Sequence, residues 1–217
     1  MRSRRLKLGS TLTELLVLVA VCAVLFTLLV PTVIETRSKL LQQACAANLK
    51  QWGTAFYMYS QDYRGSVYFG TANPLWVTVS SNPSSASPYI GYLGGTRNAG
   101  GTWQTFGGIQ EMRQCPVVRL ASGLQGATYA MIRPSPVMAN IFWYQLNGVK
   151  HPGSMIMMLD ADGTKFVIAG SSFLDPSVTG ATNRHSGGVN ALFADFRVDW
   201  IPYNVLATNW GTFTSSQ

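Results

Sequence analysis

Two successive hydrophobic patterns open the chain. Residues 15–30 carry no charge and, apart from Thr27, no polar side chain. With Leu12, Thr13, Val33 and Ile34 the stretch reaches about 20 residues, the length of a membrane-spanning helix. The basic leader before it would hold the N-terminus on the cytoplasmic side. Pro31 has no amide donor, so a kink or local loosening is expected there. Beyond it the pattern turns amphipathic. Leu41, Cys45, Asn48, Trp52, Phe56 and Tyr59 recur at three- and four-residue steps, with Arg37, Lys39, Gln43, Lys50 and Gln51 between them. That spacing predicts a helix over residues 41–59 with one buried face, stopped by "SQDYRGSV" with Gly65 as the terminator. Its aromatic residues, Trp52, Phe56, Tyr57 and Tyr59, read as core rather than as a ligand platform.

The remaining residues, 66–217, read as β-rich. "SVYFG", "LWVTV", "SMIMMLDAD", "KFVIAG" and "VNALFADFRVDWI" are the predicted strands. A Gly-, Ser- and Pro-rich excursion over residues 80–108 is predicted to be irregular and the place of partner contacts. The last strand pair forms a hairpin in which Val189, Ala191 and Phe193 alternate with Asn190, Leu192 and Ala194. Its turn centres on Ala194-Asp195-Phe196-Arg197. A two-residue turn needs positive φ at both central positions, which Phe196 tolerates poorly, so another turn type or a longer loop is expected. The expected fold class is therefore α+β, a long N-terminal transmembrane α-helix packed on a β-rich globular head. The divisions are a leader at 1–9, a transmembrane or assembly helix at 10–34, an amphipathic helix at 35–65, and the head at 66–217.

Charge changes this picture little. The formal net charge is +7, but Arg2, Arg4, Arg5 and Lys7 supply four of the positives, and the rest of the chain has 12 Lys+Arg against 9 Asp+Glu, a net of +3. Those residues are scattered, without the stripe that nucleic acid requires. Cys22, Cys45 and Cys115 show no metal-type spacing. A Cys45–Cys115 bridge is conceivable in an oxidising compartment.

Glu14 is the anomaly of the N-terminal segment, because a carboxylate in an apolar setting is costly unless partnered. Three processing schemes compete: an ordinary secretory signal, a lipoprotein signal ending at Cys22, and a cut after Gly9 that keeps the apolar helix. The apolar run is too long for the first, and Val21 before Cys22 fits the second poorly. Cutting after Gly9 makes Ser10 a cationic terminus five residues from Glu14. Glu14 facing the amine of a neighbouring copy would fix one axial stagger between packed helices. A local role is compatible with this, since Thr11-Leu12-Thr13-Glu14 fits a capping box.

"G-S-T-L-T-E-L-L-V-L-V-A" resembles the type IV prepilin cleavage and methylation signal: a short basic leader, Gly9 at the cut, Glu14 five residues on, and Pro31 where pilins carry a helix-loosening proline. Ser10 stands where that family usually has Phe. "NRHSGGVNALFADFRV" is similar to the prepilin-type processing-associated proteins named for a His-x9-Asp-Gly signature. His185 and Asp195 have that separation, and Phe196 replaces the Gly. "CAANLKQWGTAFYMYSQDYRG", "QCP" and "VKHPGSMIMMLDAD" also look like that family's segments. The resemblance implies a pilin-like fold and a pilin-like or pseudopilin structural subunit, which does no chemistry of its own. The implied partners are a prepilin peptidase, other pilin-like subunits in a homo- or hetero-filament, and the inner membrane. It would be single-pass with the head periplasmic, or part of an extracellular or periplasmic filament after assembly. The rival is a membrane-tethered ligand-binding or enzymatic head that does not polymerise.

Candidate chemistry in the head is thin. His185 and Asp195 could be catalytic or metal-binding, but hydrogen bonds tying the turn to the start of the strand are the favoured role. Ser186 lacks a nucleophile-elbow context. "DADG" opens like an EF-hand loop without its remaining ligands, leaving Ca²⁺ at Asp160 and Asp162 as the single cofactor candidate against none. His151 carries no further signal, and there is no phosphate-binding or dinucleotide motif.

Overall fold

The computed structural model describes residues 11–68, 88–97, 103–104, 112, 114–117, 129–132, 143–161, 167–168 and 185–214. Helix α1 runs without a break over Leu12–Asp62. Its start is the expected capping box: the Thr11 amide donates to Glu14 Oε2 at 2.8 Å, and the Glu14 amide to Thr11 Oγ1 at 3.4 Å. Each satisfies a donor that the first helical turn leaves open. Its end is the expected stop. Arg64 at φ 55° and Gly65 at φ 81° reverse the backbone, and the Gly65 amide returns to the Ser60 carbonyl at 2.7 Å, the hydrogen bond of a Schellman motif.

Among the described residues no helix is long and apolar enough to cross a membrane. This corrects the expected transmembrane helix, and with it the single-pass inner-membrane placement and periplasmic head. The reason is length. The apolar run between Glu14 and Pro31 is 16 residues, which rise about 24 Å at 1.5 Å per residue, short of roughly 30 Å of hydrocarbon. The cleavage pair Gly9 and Ser10 and the side chain of Pro31 lie outside the described residues.

The chain divides into two compact units, Met1–Lys39 and Leu40–Gln217. In the first, every described side chain is exposed, among them Leu12, Leu15, Leu18, Val21, Leu25 and Phe26. The second is α+β. Strands β1 (Ser66–Tyr68) and β5 (Trp143–Gln145) pair antiparallel, and β2 (Thr96–Arg97) with β3 (Trp103–Gln104) forms a second ribbon. The main sheet is built of β4 (Tyr129–Ile132), β6 (Ile156–Asp160), β7 (Val167–Ile168), β8 (Gly188–Phe193) and β9 (Val198–Pro202). Their order is β7-β4-β6-β8-β9, antiparallel except for β4 with β7. Short helices α2 (Tyr203–Thr208) and α3 (Trp210–Thr214) follow. The "LWVTV" strand lies outside the described residues.

Both faces of this sheet are covered, so β6 and β8 are buried at every position. Period-2 alternation then sorts side chains between two cores rather than between core and water. On one face Tyr129, Met131, Leu192 and Ala194 meet the α1 stripe Cys45, Leu49, Trp52, Ala55, Phe56 and Tyr59. On the other, Ala130, Ile132, Val189, Ala191 and Phe193 meet Leu206 and Trp210. Met157 and Met158 belong to the same face despite being neighbours, because the β6–β8 register shifts between Ile156 and Met158, as a bulge requires.

The β8–β9 hairpin turns in a way its sequence opposes. Phe196 takes φ 64°, the conformation usually given to Gly at the end of a three-residue loop, costing a non-Gly residue roughly 1–2 kcal/mol. Contacts hold it there. Its ring meets Tyr57 edge-on at 5.4 Å, and its carbonyl accepts from Lys50 Nζ at 3.0 Å. Asp195 Oδ1 accepts the Arg197 amide at 3.1 Å, and the Arg197 guanidinium lies 4.3 Å from the centre of the Phe193 ring. The longer loop is as expected; positive φ at Phe196 is not.

Candidate functional site

Four reactive side chains from distant parts of the chain converge behind α1. Cys45 comes from α1, Cys115 from the segment after it, Asp160 from the end of β6, and His185 from the turn before β8. One ligand atom of each lies within 4.8 Å of all the others. The first three are 0% exposed and His185 is 1%, so solvent reaches none of them. Cys45 and Cys115 are joined as a disulfide, with Cα atoms 5.1 Å apart across 70 residues.

Local structure explains each placement. Cys45 follows from the helical stripe. Cys115 is held by α1 side chains reaching over its flanks: Asn48 Nδ2 donates to the Gln114 carbonyl at 3.3 Å, and Trp52 Nε1 to the Met112 carbonyl at 3.1 Å. The Tyr129 hydroxyl adds a bond to the Cys45 carbonyl at 3.4 Å. Asp160 is set by strand register. Leu159 faces Ala191 on β8, so Asp160 comes opposite Asn190, whose amide donates to Asp160 Oδ2 at 2.8 Å.

His185 is delivered by a reversal, with Ser186 at φ 56° and Gly187 at φ 84°. Trp200 Nε1 donates to the His185 carbonyl at 2.8 Å. Gly188 follows with no room for a side chain, since a Cβ there would run into the Trp200 ring and the Ile201 carbonyl. The "HSGG" run thus lets β9 close over β8 while turning the imidazole inward.

His185 Nε2 lies 3.1 Å from Asp160 Oδ2 and 3.4 Å from Cys115 Sγ. A carboxylate can only accept, so the ring proton belongs on Nε2 in this arrangement. Two polar atoms, Asp160 Oδ1 and His185 Nδ1, have no hydrogen-bond partner among the described residues. Each such buried group costs on the order of 1–3 kcal/mol and calls for an explanation.

Sequence reasoning grouped these residues differently. His185 and Asp195 do not meet: Asp195 is at the other end of β8, on the rim of an open cleft of about 460 Å³ that Arg64, Asn147 and Phe196 also line. The imidazole bonds to Asp160 instead, so the expected tie between turn and strand start is absent. Asp160 is bounded by nitrogen and sulfur, unlike the oxygen shell that Ca²⁺ takes, and Asp162 lies outside the described residues. The Asp160–His185 pair and the supporting Asn190 were missed. A signal was available: both polar residues end long apolar runs that antiparallel pairing brings side by side. In the N-terminal unit Glu14 caps its own helix and lines a shallow groove with Thr13, Val17, Leu18 and Val21.

The chain matches no family model, no curated protein and no solved structure.

Proposed function

We propose that this chain is a pilin-like structural subunit, cut after Gly9 by a prepilin peptidase and assembled with other pilin-like subunits, alike or different, into a type IV pilus-like or type II secretion-like filament. The observation that carries the reading is the row of exposed apolar side chains on α1, among them Leu12, Leu15, Leu18, Leu25, Phe26 and Val30. Apolar area left in water forgoes about 25 cal/mol per Å², and a second copy of the same helix offers a matching cover. The leader, Gly9 and Glu14 occur at the spacing such processing uses. Glu14 has two compatible roles, capping its own helix and pairing with the Ser10 amine of a neighbour to set the stagger. The cleft at Asp195 and the closed cluster at His185 take no part in assembly.

The test is intact mass and N-terminal sequence after co-expression with a prepilin peptidase, followed by sedimentation of assemblies. A chain beginning at Ser10, whose assembly is lost in Glu14→Ala while the head stays folded, is the expected result. A chain still beginning at Met1, or one starting at a lipid-modified Cys22, would sink the proposal.

A further inference from the structure

The converging cysteines, aspartate and histidine form a box that can be closed in two ways, and only one of them is the disulfide. We infer that Cys45, Cys115, Asp160 and His185 constitute a redox-gated site for a tetrahedral divalent cation of the zinc type, available when the Cys45–Cys115 bridge is reduced. This goes beyond the assembly reading and does not depend on it.

The donor set and its dimensions support this. Two thiolates, an imidazole and a carboxylate suit Zn²⁺ and Co²⁺ and not the harder Mg²⁺ or Ca²⁺. Zinc bonds of about 2.3 Å to sulfur and about 2.0–2.2 Å to nitrogen or oxygen imply tetrahedral edges of roughly 3.3 Å for N···O and roughly 3.5 Å for N···S. The observed separations are 3.1 Å from His185 Nε2 to Asp160 Oδ2 and 3.4 Å from His185 Nε2 to Cys115 Sγ. Those edges are in place with the bridge closed; reduction has only to let the two sulfurs part. Full burial of all four residues fits a structural site, which is closed by protein ligands, and not a catalytic one with an open position.

The carboxylate fits as well. Asp160 Oδ2, the oxygen at the measured edge, accepts the Asn190 amide and has a second lone pair for a cation once the imidazole proton no longer faces it. That amide then supports a ligating carboxylate in the manner of outer-shell partners. Coordination through His185 Nε2 moves the ring proton to Nδ1.

The exchange balances. A dithiol or phosphine reductant delivers two electrons and two protons to the S–S bond, which breaks to give two thiols; the reductant becomes a disulfide or, with water, a phosphine oxide. Zn²⁺ then displaces both thiol protons and forms two Zn–S bonds, with no change in its oxidation state. A small-molecule disulfide reverses this: it takes two electrons from the zinc thiolates and two protons from water to become two thiols, the Cys45–Cys115 bond re-forms, and Zn²⁺ is released with its charge unchanged.

The experiment uses the full chain carrying Cys22→Ser, which removes the exposed third thiol, reduced anaerobically with a phosphine and titrated with Co²⁺. The expected result is one Co²⁺ per chain, with a thiolate-to-cobalt charge-transfer band and tetrahedral d–d absorption that Zn²⁺ abolishes. The oxidised chain should show neither. His185→Gln and Asp160→Asn should each weaken binding by more than the roughly 10–100-fold that loss of an outer-shell partner costs. Circular dichroism tracks the fold throughout. A reduced chain that develops no band overturns the inference, whether it stays folded or unfolds and is not restored by metal. Bands unaffected by both substitutions overturn it too, because the sulfurs alone would then hold the ion.

Discussion

The two halves of α1 share one backbone and follow opposite rules. Residues 15–30 are apolar on all sides apart from Thr27, and their described side chains are exposed; residues 45–59 present a single apolar stripe, and it is buried. The later half needs only one face, because the sheet covers Leu49, Trp52 and Phe56 while Lys50, Gln51 and Thr54 meet water. Among the described residues of the first unit, nothing covers the earlier half. The difference teaches that an amphipathic helix is completed by its own domain, whereas an all-round apolar one asks for a partner.

The sharpest way to break this contrast is to remove one large side chain from each half. Trp52→Ala should cost about 3–5 kcal/mol, read as a lowered urea midpoint of the Leu40–Gln217 unit. Leu18→Ala should leave that midpoint within about 0.5 kcal/mol and instead weaken self-association. Equal effects on folding would erase the distinction.

Alkaline pH probes the buried half alone. Burial, more than any other cause, holds the Tyr59 and Tyr89 hydroxyls well above the ordinary tyrosine range, and raises Tyr92 to about 12, helped by its hydrogen bond to Asp62. The unfolded chain therefore loses these protons first, near pH 10. The associated stability is fully present below pH 10 and is lost as pH climbs from there toward the folded-state values. Urea midpoints measured from pH 8 to pH 11.5 should be level and then fall, and Tyr92→Phe should reduce the fall. A midpoint level across the whole range would contradict the assignment.

The smallest effect belongs to the exposed half. Thr11→Ala removes the hydroxyl that caps the Glu14 amide and should cost about 1 kcal/mol of local helix stability. Faster amide exchange in the first turn of α1, with no change in the head's urea midpoint, is the expected signature.

How much was legible in the sequence follows the range of the interaction responsible. The capping box at Thr11 and Glu14, the stop at Gly65, the stripe through Trp52 and Tyr59, and the β8–β9 hairpin all arise from neighbours within a few residues, and pattern alone specified them. The span read from residues 15–30 failed because the uninterrupted apolar run between Glu14 and Pro31 is 16 residues, and the four residues added to reach about 20 lie beyond that glutamate or that proline. Phe196 misled because a local φ penalty was outweighed by Tyr57 and Lys50, more than a hundred residues away.

By itself, then, the sequence determined where α1 begins and ends, which of its faces is buried after residue 40, and the pairing of the last two strands. Each of these is settled by local backbone hydrogen bonding and side-chain periodicity. Only the tertiary structure decided that Cys45 meets Cys115, that His185 turns to Asp160 instead of Asp195, and that β8 is covered on both faces. Those choices rest on contacts between residues 25 to 148 positions apart, a range over which spacing along the chain carries no geometric information.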